Sequence, residues 1–199
     1  MIGSRHLRPA PAVAGAVVLL ALLAGCGDQR PLTDGPLPTG QADGLTRIVQ
    51  LAGERVVLSD QVAASKFGTQ QPVTDPAREA AVIADARADA GRDGVDPDWV
   101  ARVFTDQIAA GTQVQEALLR LWSDQPATRP AQRPNLATVR PELDRVGDEM
   151  VAAMTAAAPA RGHEECPARL AQAAVATAKP LDEPHKVALG RALTSVCDG

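Results

Sequence analysis

Arg55, Lys66, Arg78 and Arg140 are cations, Glu79 an acid, and Gln115 an amide that can donate a hydrogen bond at any pH. Together such residues could bind an organic polyanion and stabilise charge on it. Spacing gives the first grouping. Arg55 and Lys66 are eleven residues apart. At about 100° per residue this is within about 20° of three full helical turns, so on a helix they share a face. Their Cα atoms would be ~16.5 Å apart, and long side chains could converge on one ligand between them. Gly111 and Gln115 are four apart and share a face of a later helix. Taken singly, each charge is better read as a solvated surface group, and spacing alone does not overturn that. Glu79 near a helix start is explained by the macrodipole alone.

The elements that must position these residues are helical. From Leu45 to about Phe67, apolar residues at 45, 48, 49, 52, 56, 62 and 63 follow amphipathic-helix spacing. Gly68 to Pro72 ends that helix. Asp75-Pro76 and Asp96-Pro97 each pair an N-cap with proline at the first helical position. They predict a second helix over 76–90, broken at Gly91 and Gly94, and a third over 97–122. The third turns Val100, Val103, Phe104, Ile108, Val114, Leu118 and Leu121 inward. After a Pro-rich link, Val139, Leu143, Val146, Met150 and Met154 mark a fourth helix, from 136 or 138 to 158, with Pro141 in its first turn. Two shorter helices are expected over 167–178 and 184–197. No strand pattern, internal repeat or heptad run is present. The predicted fold class is all-α: a three-helix core (45–125) and a C-terminal helical extension (126–199).

Composition excludes several functions. The 199 residues carry a net charge of −4 and 2% aromatic residues. So few aromatics argue against a β-sandwich and against stacking on single-stranded nucleic acid. The absence of a basic tail argues against duplex binding, so no nucleic-acid partner is expected. His163-Glu164-Glu165-Cys166 lacks a second group at ligand spacing, so no metal site is expected. Ser59 and Ser65 have no histidine in the pattern, which leaves a hydrolase triad unsupported.

The N-terminus addresses the protein outside the cytoplasm. Arg5 and Arg8 precede an apolar run, Ala12 to Ala24, that is too short to span a bilayer and reads as a signal peptide over 1–25. Leu23-Ala24-Gly25-Cys26 looks like a bacterial lipobox. Cys26 would then be the lipidated first mature residue, anchoring the protein to the membrane surface. Ordinary secretion with an incidental cysteine is the alternative. Removing residues 1–25 takes away Arg5 and Arg8 and no acid, so −4 becomes −6. Residues 26–44, rich in proline and glycine, read as a flexible tether. In an oxidising compartment, Cys166 and Cys197 are expected to pair.

Three segments carry a family resemblance. They are Glu54-Arg55-Val56-Val57-Leu58-Ser59-Asp60-Gln61-Val62-Ala63-Ala64-Ser65-Lys66-Phe67, Gln71-Pro72-Val73-Thr74-Asp75-Pro76-Ala77-Arg78-Glu79, and Val95 through Ile108. In order and distance they resemble the blocks of the all-α chorismate mutases. The signal peptide and cysteine-bearing extension are similar to the exported, gamma-type subclass. The resemblance implies conversion of chorismate to prephenate by an intramolecular Claisen rearrangement, without cofactor, metal or general base. It implies that Arg55 and Arg140 bind carboxylates and that Lys66 contacts a carboxylate and the ether oxygen. Gln115 would give that oxygen a second hydrogen bond. Arg78 would support the carboxylate end, and Glu79 with the Asp75 backbone would hold the ring hydroxyl. Gly111 lines the site where relatives often carry a small hydroxyl residue. A homodimer is implied by the family alone. Two alternatives are an isochorismate pyruvate lyase of the same fold and a non-catalytic exported binding lipoprotein.

Overall fold

Local sequence sets each helix start. A computed structural model describes residues 35–199, and the signal peptide, the lipobox with Cys26 and the first part of the tether lie outside them. The helices are α1 (Thr39–Lys66), α2 (Pro76–Arg92), α3 (Pro97–Asp124), α4 (Leu136–Ala157), α5 (Cys166–Ala178) and α6 (Glu183–Ala192). The side chains of Asp75, Asp96, Asn135 and Asp182 each accept backbone N–H bonds at the N-termini of α2, α3, α4 and α6. These are the orphan donors that every helix start leaves. No strand occurs among the described residues.

Helix α1 is the central pole and packs against α3, α4, α5 and α6. Its buried residues run almost all round it, including Leu45, Ile48, Leu51, Ala52, Val56 and Leu58. An amphipathic stripe underdescribes it, because the extension covers the side that a three-helix core would leave wet. Helix α2 is the opposite case. It rests on α3, touches α4 along a shorter stretch, and buries Ala86 and Ala90.

Several boundaries differ from expectation. The helix expected at Leu45 begins at Thr39, so the last part of the predicted tether is folded. The reason is packing. Leu37 is buried, and a Cβ on Gly44 would stand 2.9 Å from the backbone nitrogen of Ala157, so α1 and α4 meet there backbone to backbone. Helix α2 runs through Gly91 and stops near Gly94, whose φ of +72° is the left-handed turn that glycine favours. Pro141 falls in the second turn of α4 and leaves the Ala137 carbonyl without its helical N–H. Leu121, expected inward, is exposed. Trp122 is buried instead, against Ala63, Ala64 and Phe67 in a small satellite cluster. The last helix stops at Ala192 and continues to Cys197 as turns.

The extension is bolted on by polar contacts that α3 prepares. Asp106 and Gln107 are buried on α3. Asp106 pairs with Arg191 and accepts from the Ser195 N–H at 3.0 Å, and Gln107 Nε2 donates to the Ala192 carbonyl at 3.0 Å. Trp99 Nε1 donates to the Ser195 carbonyl. His185 sits between Asp182 and Asp60, its Nε2 2.7 Å from the Asp60 carboxylate. Burial alone would lower the His185 pKa, but its two carboxylate hydrogen bonds win and raise it.

Cys166 and Cys197 are bonded, with Cα atoms 5.9 Å apart and a separation of 31 positions in sequence. Closing a loop of that length should stabilise by roughly 3–4 kcal/mol in the chain-entropy model. Replacing both cysteines with alanine should therefore lower the melting temperature by about 6–16 °C in scanning calorimetry. An unchanged transition would refute a load on this bond.

Candidate functional site

One face of α1 looks into a cavity of about 540 Å³ walled by α1, α2, α3 and α4. Arg55, Lys66, Asp75, Arg78, Glu79, Gly111, Gln115 and Arg140 all line it. The residues singled out in the sequence thus come together from four helices of one chain. The wall also includes Ser59, Gln107, Val73 and Asp144, none of which was marked as a site residue.

Each cation is held differently. Arg55 lies deep in the wall, and Nη1 donates to the Leu143 carbonyl of α4 at 3.2 Å. Burial lowers its pKa to about 10, the charge of Asp144 opposing and that of Arg78 adding to the effect. It stays a cation at neutral pH. Lys66, at the last turn of α1, donates from Nζ to the Val73 carbonyl at 2.6 Å and to Gln115 Oε1 at 3.1 Å. Burial lowers its pKa too, against the raising effect of Asp75 and Glu79 and with the help of Arg140. The Arg78 guanidinium pairs with Asp144 of α4 at 2.6 Å across the cavity. Arg140, in the second turn of α4, is exposed on the cavity wall with no hydrogen bond or ion pair among the described residues.

The polar groups are arranged around these cations. Gln115 is buried on α3, and its Nε2 donates to the Gly111 carbonyl at 3.2 Å. An amide carries two N–H donors, so one remains for a ligand. Asp75 and Glu79 cap α2 reciprocally. Asp75 Oδ1 accepts from the Arg78 N–H at 3.1 Å, and the Asp75 N–H donates to Glu79 Oε1 at 3.0 Å. This cap therefore sets where both Arg78 and Glu79 stand.

Four cations and six carboxylates line this wall. Lys66 and Gln115 meet in it, a pair able to donate to one anion. Asp144 could have been suspected from its position one turn after Arg140 on the same helix face. Gln107 gave no signal, because its role is to meet a carbonyl of the extension.

An all-α bundle around a cavity that gathers four cations, six carboxylates and the buried amide of Gln115 defines a class of helical protein with a polar small-molecule site. The family model for chorismate mutase type II matches residues 46–116. The secreted chorismate mutase of Mycolicibacterium smegmatis is 35% identical over 184 residues, covering 92% of this chain and 98% of that protein. The secreted chorismate mutase of Mycobacterium tuberculosis is 32% identical over 185 residues, 90% and 88% of the two chains. A crystal structure of chorismate mutase from Burkholderia thailandensis matches with a TM-score of 0.72 and 41% identity, over 77% of this chain and 99% of that one. The chain belongs to the type II chorismate mutase family.

The cap is testable. Asp75→Ala should cost about 1 kcal/mol of stability in urea denaturation. It should also weaken binding of a dicarboxylate ligand by calorimetry, because Arg78 and Glu79 lose their anchor. A variant as stable as the parent would rule out the capping role.

Proposed function

We propose that this cavity converts chorismate to prephenate, with Arg55, Lys66, Arg78, Arg140 and Gln115 as its working residues. The observation that carries the reading is the convergence of four cations and one buried amide on one cavity of a chain in this family. Chorismate is a dicarboxylate whose reaction breaks an ether C–O bond while a C–C bond forms in the same molecule. No proton moves and no covalent intermediate forms, so the protein contributes orientation and electrostatics.

Arg55 and Arg140 bind carboxylates, a match for the guanidinium fork. Together they hold the enolpyruvyl arm over the ring in its near-attack form. Arg78 supports the same end. Lys66 contacts a carboxylate and the ether oxygen, and the free N–H of Gln115 donates to that oxygen. Glu79 and the Asp75 backbone receive the ring hydroxyl, and Gly111 lines the α3 wall one turn before Gln115. As the C–O bond stretches, negative charge grows on the oxygen between Lys66 and Gln115. Those two contacts strengthen in the transition state and so accelerate the step.

The place of action is part of the proposal. The relatives named as secreted and the hydrophobic leader support export. The finer reading is a lipid anchor at Cys26 and a homodimeric assembly, supported by the lipobox-like tetrapeptide and the family resemblance respectively. All the proposed site residues come from one chain, so this reading asks no partner subunit for a cation.

Two measurements test the roles. Purified 26–199 should consume chorismate, seen as loss of its diene absorbance, with prephenate as product. Lys66→Ala should lower kcat by about 100- to 1,000-fold with a smaller change in KM. A variant indistinguishable from the parent would dismiss the assignment. Activity of the parent should be nearly flat from mildly acidic to mildly alkaline pH, because Gln115 donates in either range. Gln115→Glu should make activity fall as pH rises, since a carboxyl donates only when protonated. A steep alkaline loss near neutrality in the parent would rule out Gln115 as the donor.

A further inference from the structure

We infer that Ser59 is a substrate-binding residue, its hydroxyl donating to the carboxylate held by Arg55, and that Gly111 is present to make room for it. This rests on the chorismate mutase reading above and adds a contact to it.

Placement comes first. Arg55, Ser59, Val62 and Lys66 all line the cavity, and their spacing of four, seven and eleven residues marks one face of α1. Ser59 is therefore one turn from Arg55, about 6 Å along the helix, and about 10.5 Å from Lys66. It stands between the two cations that share that face. It is 4% exposed. A hydroxyl in the middle of a buried helix gives no propensity advantage over alanine, so packing alone does not explain it.

The opposite wall is cut to fit. Gly111 lies in the interior of α3, where glycine costs about 1 kcal/mol relative to alanine. Its φ is not in the left-handed region, so backbone freedom does not explain it. Space does. A Cβ at position 111 would stand 3.0 Å from Ser59 Oγ, and no other neighbouring atom would lie within 4 Å of it. The notch in α3 is occupied by that hydroxyl oxygen. The Gly111 carbonyl also anchors Gln115 Nε2, so the notch is continuous with the amide donor.

The hydroxyl is free to act. In this structure Ser59 Oγ donates to the Arg55 carbonyl at 3.2 Å. That carbonyl is also the acceptor for the Ser59 backbone N–H in the α-helical ladder. Rotating the hydroxyl toward a bound carboxylate thus strands no acceptor. A carboxylate on Arg55 offers about four lone-pair sites, more than one guanidinium fills.

Steady-state kinetics on 26–199 tests this with two variants. Ser59→Ala should raise KM for chorismate by about five- to tenfold with kcat within about twofold, the mark of a contact made equally in ground and transition states. Its melting temperature should not fall, which a merely structural role would not predict. In the double variant Ser59→Ala/Gly111→Ser the hydroxyl returns from the opposite wall, and KM should recover to within about threefold of the parent. A Ser59→Ala variant with unchanged KM would overturn the inference, as would a KM loss that the double variant leaves in place. The parent is the control for the underlying reading: if it does not turn over chorismate, the reaction assignment falls, whereas an active parent with an indifferent Ser59→Ala defeats the Ser59 contact alone.

Discussion

Four cations around one cavity repel one another, and most of this structure can be understood as holding them there before a dianion arrives. The repulsion is visible in Arg55 and Lys66, both of which have lowered pKa values, with burial as the leading cause and a neighbouring cation adding to it. Opposite charge is supplied at a distance rather than in direct pairs with those two. Asp144 takes Arg78 and eases Arg55, while Asp75 and Glu79 ease Lys66 without bonding it. Lys66 instead spends its donors on a carbonyl and on Gln115, neutral partners that a substrate oxygen can replace without separating an ion pair. A direct carboxylate partner would have to be displaced at a cost in binding.

Charge also has a direction along the cavity. On α4, Arg140, Asp144 and Asp148 follow one another at four-residue intervals, and all line the wall. On α2, Arg78 is followed by Asp85 and Asp89 on the same wall. A dianion entering this space is drawn to the end carrying Lys66 and Arg140 and repelled from the end carrying Asp85, Asp89 and Asp148. A net charge of −4 for the whole chain conceals that local field.

Much of this was legible in the sequence because it rests on short-range rules. The Asp-Pro starts, the 11-residue spacing of Arg55 and Lys66 and the four-residue spacing of Gly111 and Gln115 are helix geometry, and helix geometry is local. The cysteine pair followed from the compartment argument. What escaped is set by tertiary packing. Helix α1 starts six residues early because Gly44 lets α4 approach, a fact about α4. Leu121 and Trp122 exchange places because the end of α3 meets Phe67 rather than the main core. Asp106 and Gln107 look like surface residues until α6 covers them. Ser59 was set aside for want of a histidine, when its meaning lay in a missing side chain on another helix.

The least local feature is Arg140, and its position follows from the end of α1. Phe67, next to Lys66, packs edge-on against Trp122 with ring centroids 5.5 Å apart. The Pro-rich link folds back over the same ring. The Arg129 and Arg133 guanidiniums lie 5.4 and 5.9 Å from its centroid, and Arg129 Nε donates to the Trp122 carbonyl at 2.9 Å. Gly68, with φ of +69°, turns the chain beside Arg133. The link therefore reaches Asn135, the cap of α4, already tied to the turn that follows Lys66. Without that tie, ten residues of link would leave Arg140 to find the cavity at an entropic cost on each binding event. One aromatic pair thus couples the cation at the end of α1 to the cation near the start of α4, which makes the low aromatic content a matter of placement rather than of scarcity.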